Sequence, residues 1–125
     1  MSITRNKPLA IGLATDIGGG TSYSMLQTMG EAYKVQMLCG LKLSAAELFH
    51  MATLGNARIL KMDETTGSLD IGKFADVVVL DPEATDVLKS RHQLSNSIED
   101  VLFALALLGD DRAVSATYVA GKRVH

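Results

Sequence analysis

The stretch GSLDIGKFADVVVLDP, residues 67–82, sets two punctuating glycines, Gly67 and Gly72, ahead of a β-branched run and a closing proline. Residues 75–80 suit a sheet, because branched side chains pack well on a pleated surface. The reading is a strand over 76–81 stopped by Pro82, which has no N–H to give a ladder. Downstream, Ser97 can cap a helix whose apolar face is Ile98, Val101, Leu102, Leu105 and Leu108, with Gly109 at its end. Val114, Ala116 and Tyr118 then alternate with Ser115 and Thr117, and the pair Ala120-Gly121 leads to Arg123 and Val124, a hairpin signal.

Upstream the period changes. Met25, Leu26, Met29, Ala32, Tyr33 and Met37 recur at helical spacing, predicting a helix over 22–38 ended by Gly40 and started by Thr21 or Ser22. Ser44 and Glu47 form a capping box for a second helix through Ala45, Leu48, Phe49 and Ala52; Gly55 interrupts it, and 56–60 make a further turn. The apolar run LAIGLA, residues 9–14, reads as a strand buried on both faces, whose C-terminal end points at Asp16. The count is three main helices, a strand at 9–14 and a small sheet that the helices cover.

The 125 residues suit one domain, and with 47% hydrophobic and 21% charged residues they can bury a core. A net charge of −2 offers no basic field for nucleic acid, and no run is long enough to cross a membrane. One cysteine, Cys39, excludes an internal disulfide and reads as a small buried apolar residue. Without a secretory signal in MSITRNKP, it points to the cytoplasm.

Chemistry concentrates in ATDIGGGTSYSM, residues 14–25. Asp16 at the end of a strand stands where α/β folds place functional groups. It is either one ligand of a metal, which needs about three protein ligands if zinc, or a turn-capping residue. Gly18, Gly19 and Gly20 either converge N–H groups on an anion or give a tight loop clearance; neither G-x-x-x-x-G-K-[ST] nor G-x-G-x-x-G is present. His50, His92 and His125 are scattered without ligand spacing, Glu31 and Lys34 read as a solvated face, and Asp110, Asp111 and Arg112 as local ion pairing. Met25 and Met29 read as core packing.

Three stretches together resemble a known family. GLATDIGGGTSYSMLQTMGEAYKVQ is similar to the end of the metal-dependent amidohydrolase barrel in the version found in guanine deaminases; TLGNARILKMDETTGSLDIGKFADVVVLDP resembles the return into that superfamily's small β-sandwich domain; LLGDDRAVSATYVAGKRVH resembles its last helix and strands. The resemblance implies an α/β (mixed α and β) fold: residues 1–66 as the last strand and helices of the (β/α)8 barrel, 67–125 as return segment, helix and strands of the sandwich. It also implies a C-terminal segment of a zinc-dependent enzyme that hydrolyses guanine to xanthine and ammonia. Asp16 then matches the aspartate that binds the catalytic zinc and shuttles a proton, and the glycines keep the metal pocket clear.

The family's H-x-H pair, its two later histidines, its catalytic glutamate and its guanine-contacting residues have no counterpart here, so the resemblance implies a chain inert on its own that retains no zinc alone. Open strand edges at 9–14 favour a homo-oligomer or a missing N-terminal part as partner. Two other readings stand beside this one: a docking module that completes a separately encoded amidohydrolase N-terminal part, and an unrelated small anion-binding domain.

Overall fold

The computed structural model describes residues 10–125. In chain order the elements are α1 (Met25–Leu38), α2 (Ala45–Ala52), α3 (Leu54–Ile59), β1 (Val77–Leu80), α4 (Asp86–Gln93), α5 (Ile98–Leu108), a 3-10 turn (Asp111–Ala113), β2 (Val114–Val119) and β3 (Lys122–Arg123). The mixed α and β class is therefore as expected. Among the described residues five helices stand where three main ones and a further turn are expected.

Every helix start except that of α3 follows from a side-chain cap that satisfies an otherwise orphaned N–H. Ser24, not Thr21 or Ser22, caps α1: its Oγ accepts from Gln27 N at 3.4 Å, while Ser22 Oγ accepts from Ser24 N at 3.0 Å and so holds the turn before the helix. Ser44 and Glu47 close the expected capping box on α2. The break after α2 falls at Thr53 (φ −124°, ψ −101°), and Gly55 lies inside α3 rather than interrupting it. Helix α4 is polar, DVLKSRHQ, with Leu88 as its one buried residue, so it lacks the apolar stripe by which sequence reading finds helices. Thr85 caps it through Leu88 N at 3.2 Å. Ser97 caps α5, and Glu99 and Asp100 in its first turn suit the positive end of the helix dipole.

The sheet is antiparallel in the order β1-β2-β3, with Val77 opposite Tyr118, Leu80 opposite Val114, and an irregularity between Val79 and Leu80. Ala120 (φ 49°) and Gly121 (φ 79°) make the two-residue turn of the expected hairpin. The aspartate in the quoted motif has a physical task. Asp76 Oδ1 accepts from Ala120 N at 2.8 Å and its Oδ2 from Thr66 Oγ1 at 3.0 Å, tying the hairpin turn to the loop before β1.

One core joins Leu26 and Met29 of α1, Leu48 of α2, Leu88 of α4, Ala104, Leu105 and Ala106 of α5, and Ala113. Helices α1, α2 and α4 pack on α5 instead of covering the sheet. Gly30 makes the α1–α5 approach possible: a Cβ there would stand 3.1 Å from the Ala106 carbonyl oxygen. Tyr33 and Phe103 meet edge to face across the same seam, with centroids 5.1 Å apart.

Two further expectations are corrected. Residues 10–14 form no strand, and Ala10, Ile11 and Ala14 are exposed; Leu9 lies outside the described residues. An apolar run becomes a buried strand only between neighbours that pair with it, and among the described residues no strand lies beside this segment. Cys39, just past α1, is exposed rather than buried, because α1 ends there and turns away through Gly40 (φ 77°). Among the described residues no helix is long and apolar enough to cross a membrane.

Candidate functional site

The segment carrying Asp16 reaches its place through Leu13. Leu13 N donates to Met51 O in α2 at 3.2 Å, and Leu13 O accepts from Asn56 Nδ2 in α3 at 2.7 Å. Beyond this anchorage the chain turns sharply. Asp16 adopts a left-handed conformation (φ 51°), which a short polar side chain tolerates better than a branched one, and Gly18 follows at φ 101°.

That turn decides between two readings of the glycines. Gly19 N and Gly20 N both donate to the Asp16 backbone carbonyl, at 2.9 and 2.6 Å. Two of the N–H groups that an anion cradle would need are thus spent inside the loop. The glycines instead give clearance: a Cβ on Gly19 would stand 2.7 Å from Asp16 Oδ2, and one on Gly20 would run into the Thr15 carbonyl. The backbone of Asp16 closes the turn, while its carboxylate is exposed and makes no hydrogen bond among the described residues. Beside it lies a shallow hollow of about 230 Å³ lined by Ile17, Gly18, Gly20, Thr21, Ser22 and Tyr23.

The remaining candidates are not brought to Asp16 as metal ligands. Among the described residues no group of three or more His, Cys, Asp or Glu side chains could hold a metal, and residues 1–9 contain none of these four types. A zinc ion takes about three protein ligands beside its water. Asp16 is one carboxylate, and among the described residues no group of three or more such donors forms around it. His92 pairs with Glu83 (2.9 Å) and Lys34 with Glu31 (2.8 Å), each locally. Arg112 binds Asp110 at 2.7 Å, as the local pairing predicted, and its guanidinium holds the Asp110 carboxyl below the usual carboxylate range. Asn56 was not singled out by sequence reading; the contact that gives it a role spans 43 positions.

Residues 4–124 match the amidohydrolase family. The chain is 48% identical over 119 residues to guanine deaminase of Escherichia coli (strain K12), covering 95% of this chain and 27% of that protein. To the guanine deaminase of Homo sapiens it is 35% identical over 123 residues, again over 27% of the relative's length. The solved E. coli guanine deaminase superposes with a TM-score of 0.90 over 93% of this chain and 27% of its own. Guanine deaminase from Bradyrhizobium japonicum does so with a TM-score of 0.84 at 33% identity, over 94% of this chain and 31% of its own. The chain thus spans about 27% of the curated relatives it matches, and the reading as an unrelated anion-binding domain is set aside.

Proposed function

The chain belongs to the amidohydrolase family, and on that premise we propose that it supplies the C-terminal corner of a zinc-dependent guanine deaminase site. In that reaction water adds its oxygen to C2 of guanine, the bond from C2 to the exocyclic nitrogen breaks, and xanthine and ammonia leave. The chain's own contribution is the Asp16 carboxylate. A carboxylate facing the reacting carbon can take a proton from the attacking water and return one to departing ammonia. It would also hold the zinc, as one ligand among others supplied by the remainder of the enzyme. The single observation carrying this reading is the Asp16 carboxylate, which makes no hydrogen bond among the described residues and stands on a loop whose glycines keep the space beside it open.

In this reading residues 1–66 are the end of the barrel and 67–125 belong to the small sandwich domain. They are segments sharing one core, since Leu26, Met29 and Leu48 pack with Leu88 and Leu105. The partner is an N-terminal amidohydrolase part in the cytoplasm. In support, Ile11, Ile17 and Tyr23 around the Asp16 loop are 63%, 74% and 79% exposed, large apolar side chains that a companion surface would cover.

Two measurements test the proposal. The purified chain should release no ammonia from guanine and hold well under one zinc per chain. Replacing the matching part of E. coli guanine deaminase with this chain should give an enzyme that deaminates guanine and that Asp16→Asn inactivates. Turnover by the isolated chain, or an Asp16→Asn chimera as fast as its parent, defeats it.

A further inference from the structure

Asn56 occupies the first turn of α3, a six-residue helix with no side-chain cap. Asparagine is a weak helix former because its amide competes for backbone partners. Here the amide leaves the helix altogether. Half-buried, it donates from Nδ2 to Leu13 O at 2.7 Å, three residues before Asp16, while Leu13 N is held by Met51 O at 3.2 Å. Both main-chain polar groups of Leu13 are therefore fixed, one by the backbone of α2 and the other by this side chain. Residues 10–14 have no strand partner among the described residues, so the pair of bonds at Leu13, together with the Leu13 side chain packed against the core, ties the approach to Asp16 onto the helices. Gly12 completes the arrangement. A Cβ built on it would fall on Asn56 Oδ1 and come within 3.1 Å of Ile59 Cδ1, so the backbone lies flat against the amide.

We propose that Asn56, with Gly12 beside it, is a positioning residue that clamps the Leu13 carbonyl and thereby sets where the Asp16 carboxylate stands. The clamp acts through the backbone and touches neither guanine nor metal. Its consequence for catalysis rests on the reading of Asp16 given above; the clamp itself does not.

Two arms keep those apart. In the full 125-residue chain, Asn56→Ala should move the amide signals of residues 12–20 in 1H–15N spectra and speed hydrogen exchange at Leu13, leaving the Ser24-capped start of α1 unchanged. Unmoved signals at 12–20 overturn the clamp. In the chimera with E. coli guanine deaminase, Asn56→Ala should lower kcat on the order of ten- to a hundredfold, as displacement of about 1 Å does, with KM for guanine within about twofold. Asn56→Asp, the same size but setting an ionised carboxylate against the Leu13 carbonyl, should be at least as damaging. Gly12→Ala should lower kcat in the parent but far less in the Asn56→Ala background, because the amide it collides with is gone. Additive losses, or a loss confined to KM, overturn the positioning role. A parent chimera with no turnover defeats the proposed function, and the spectra of the chain then decide the clamp alone.

Discussion

Gly19→Ala separates stability from function. Gly19 is not among the residues with positive φ, so alanine fits its backbone and should stabilise the chain by about 0.4–1 kcal/mol, by restricting the unfolded state. The new Cβ, however, would stand 2.7 Å from Asp16 Oδ2. Ordinary contact begins near 3.4 Å, so the carboxylate oxygen must retreat by roughly 0.7 Å, a displacement of the size that costs on the order of tenfold or more in rate. The expected result is a chain that unfolds at the same or higher denaturant concentration and a chimera whose kcat falls about tenfold. Gly18→Ala is the counter-control. Nothing lies within 4 Å of its Cβ, but φ 101° is strained for any L side chain, so it should cost about 1–2 kcal/mol of stability. A Gly19→Ala chimera with undiminished turnover would refute the idea that this glycine exists to leave the Asp16 carboxylate its place.

Further tests concern the frame. Leu48→Ala removes a side chain with 0% exposure at the meeting of α2 with α5, and denaturant titration should show a loss of about 2–5 kcal/mol. Ser44→Ala should cost about 1 kcal/mol through the lost cap. The same substitution should change the acid limb of stability. Ser44's backbone N–H, and then its hydroxyl, hold the Glu47 carboxyl below its ordinary range. Hydrogen bonds from Asn96 N–H and Ser97 do the same for Asp100, and Arg112 does it for Asp110. For each, the unfolded chain binds the proton more readily, so the contribution is present at neutral pH and is lost as pH falls through the lowered folded value. Melting curves across that range should be less steep in Ser44→Ala than in the parent; an unchanged slope would contradict the assignment to Glu47.

The parts of the fold that sequence made legible are those whose signals are local. The box at Ser44 and Glu47, the cap at Ser97, the turn at Ala120-Gly121 and the strand before Pro82 each depend on residues a few positions apart, and each stands where its chemistry puts it. The misreadings share a cause. Residues 9–14 have the composition of a buried strand, but a strand's identity lies in its neighbours, and composition does not supply them. Helix α4 was missed for the converse reason: one buried leucine on an otherwise polar segment is all its packing requires, and one residue has no period. Cys39 and the break at Thr53 turned on where a helix stops within a residue or two, the least determined feature of a helical pattern.

The site divides along the same line. Asp16 stood out because a single carboxylate between an apolar run and three glycines is conspicuous in one dimension. How the turn is closed is visible only in three: its carbonyl, not its carboxylate, receives Gly19 N and Gly20 N, so the side chain is not used. Had the carboxylate closed the turn, as an aspartate before glycines often does, a ligand role would have required breaking those bonds. Because the backbone meets that demand at φ 51°, the turn leaves the carboxylate unengaged, as the ligand role proposed above requires. The left-handed conformation, the two spent amides and the clearance at Gly19 thus act together: they separate the structural duty of one residue from the chemical role proposed for it. Asn56 extends the same logic by fixing the approach three residues earlier, through a contact that sequence spacing had no means of announcing.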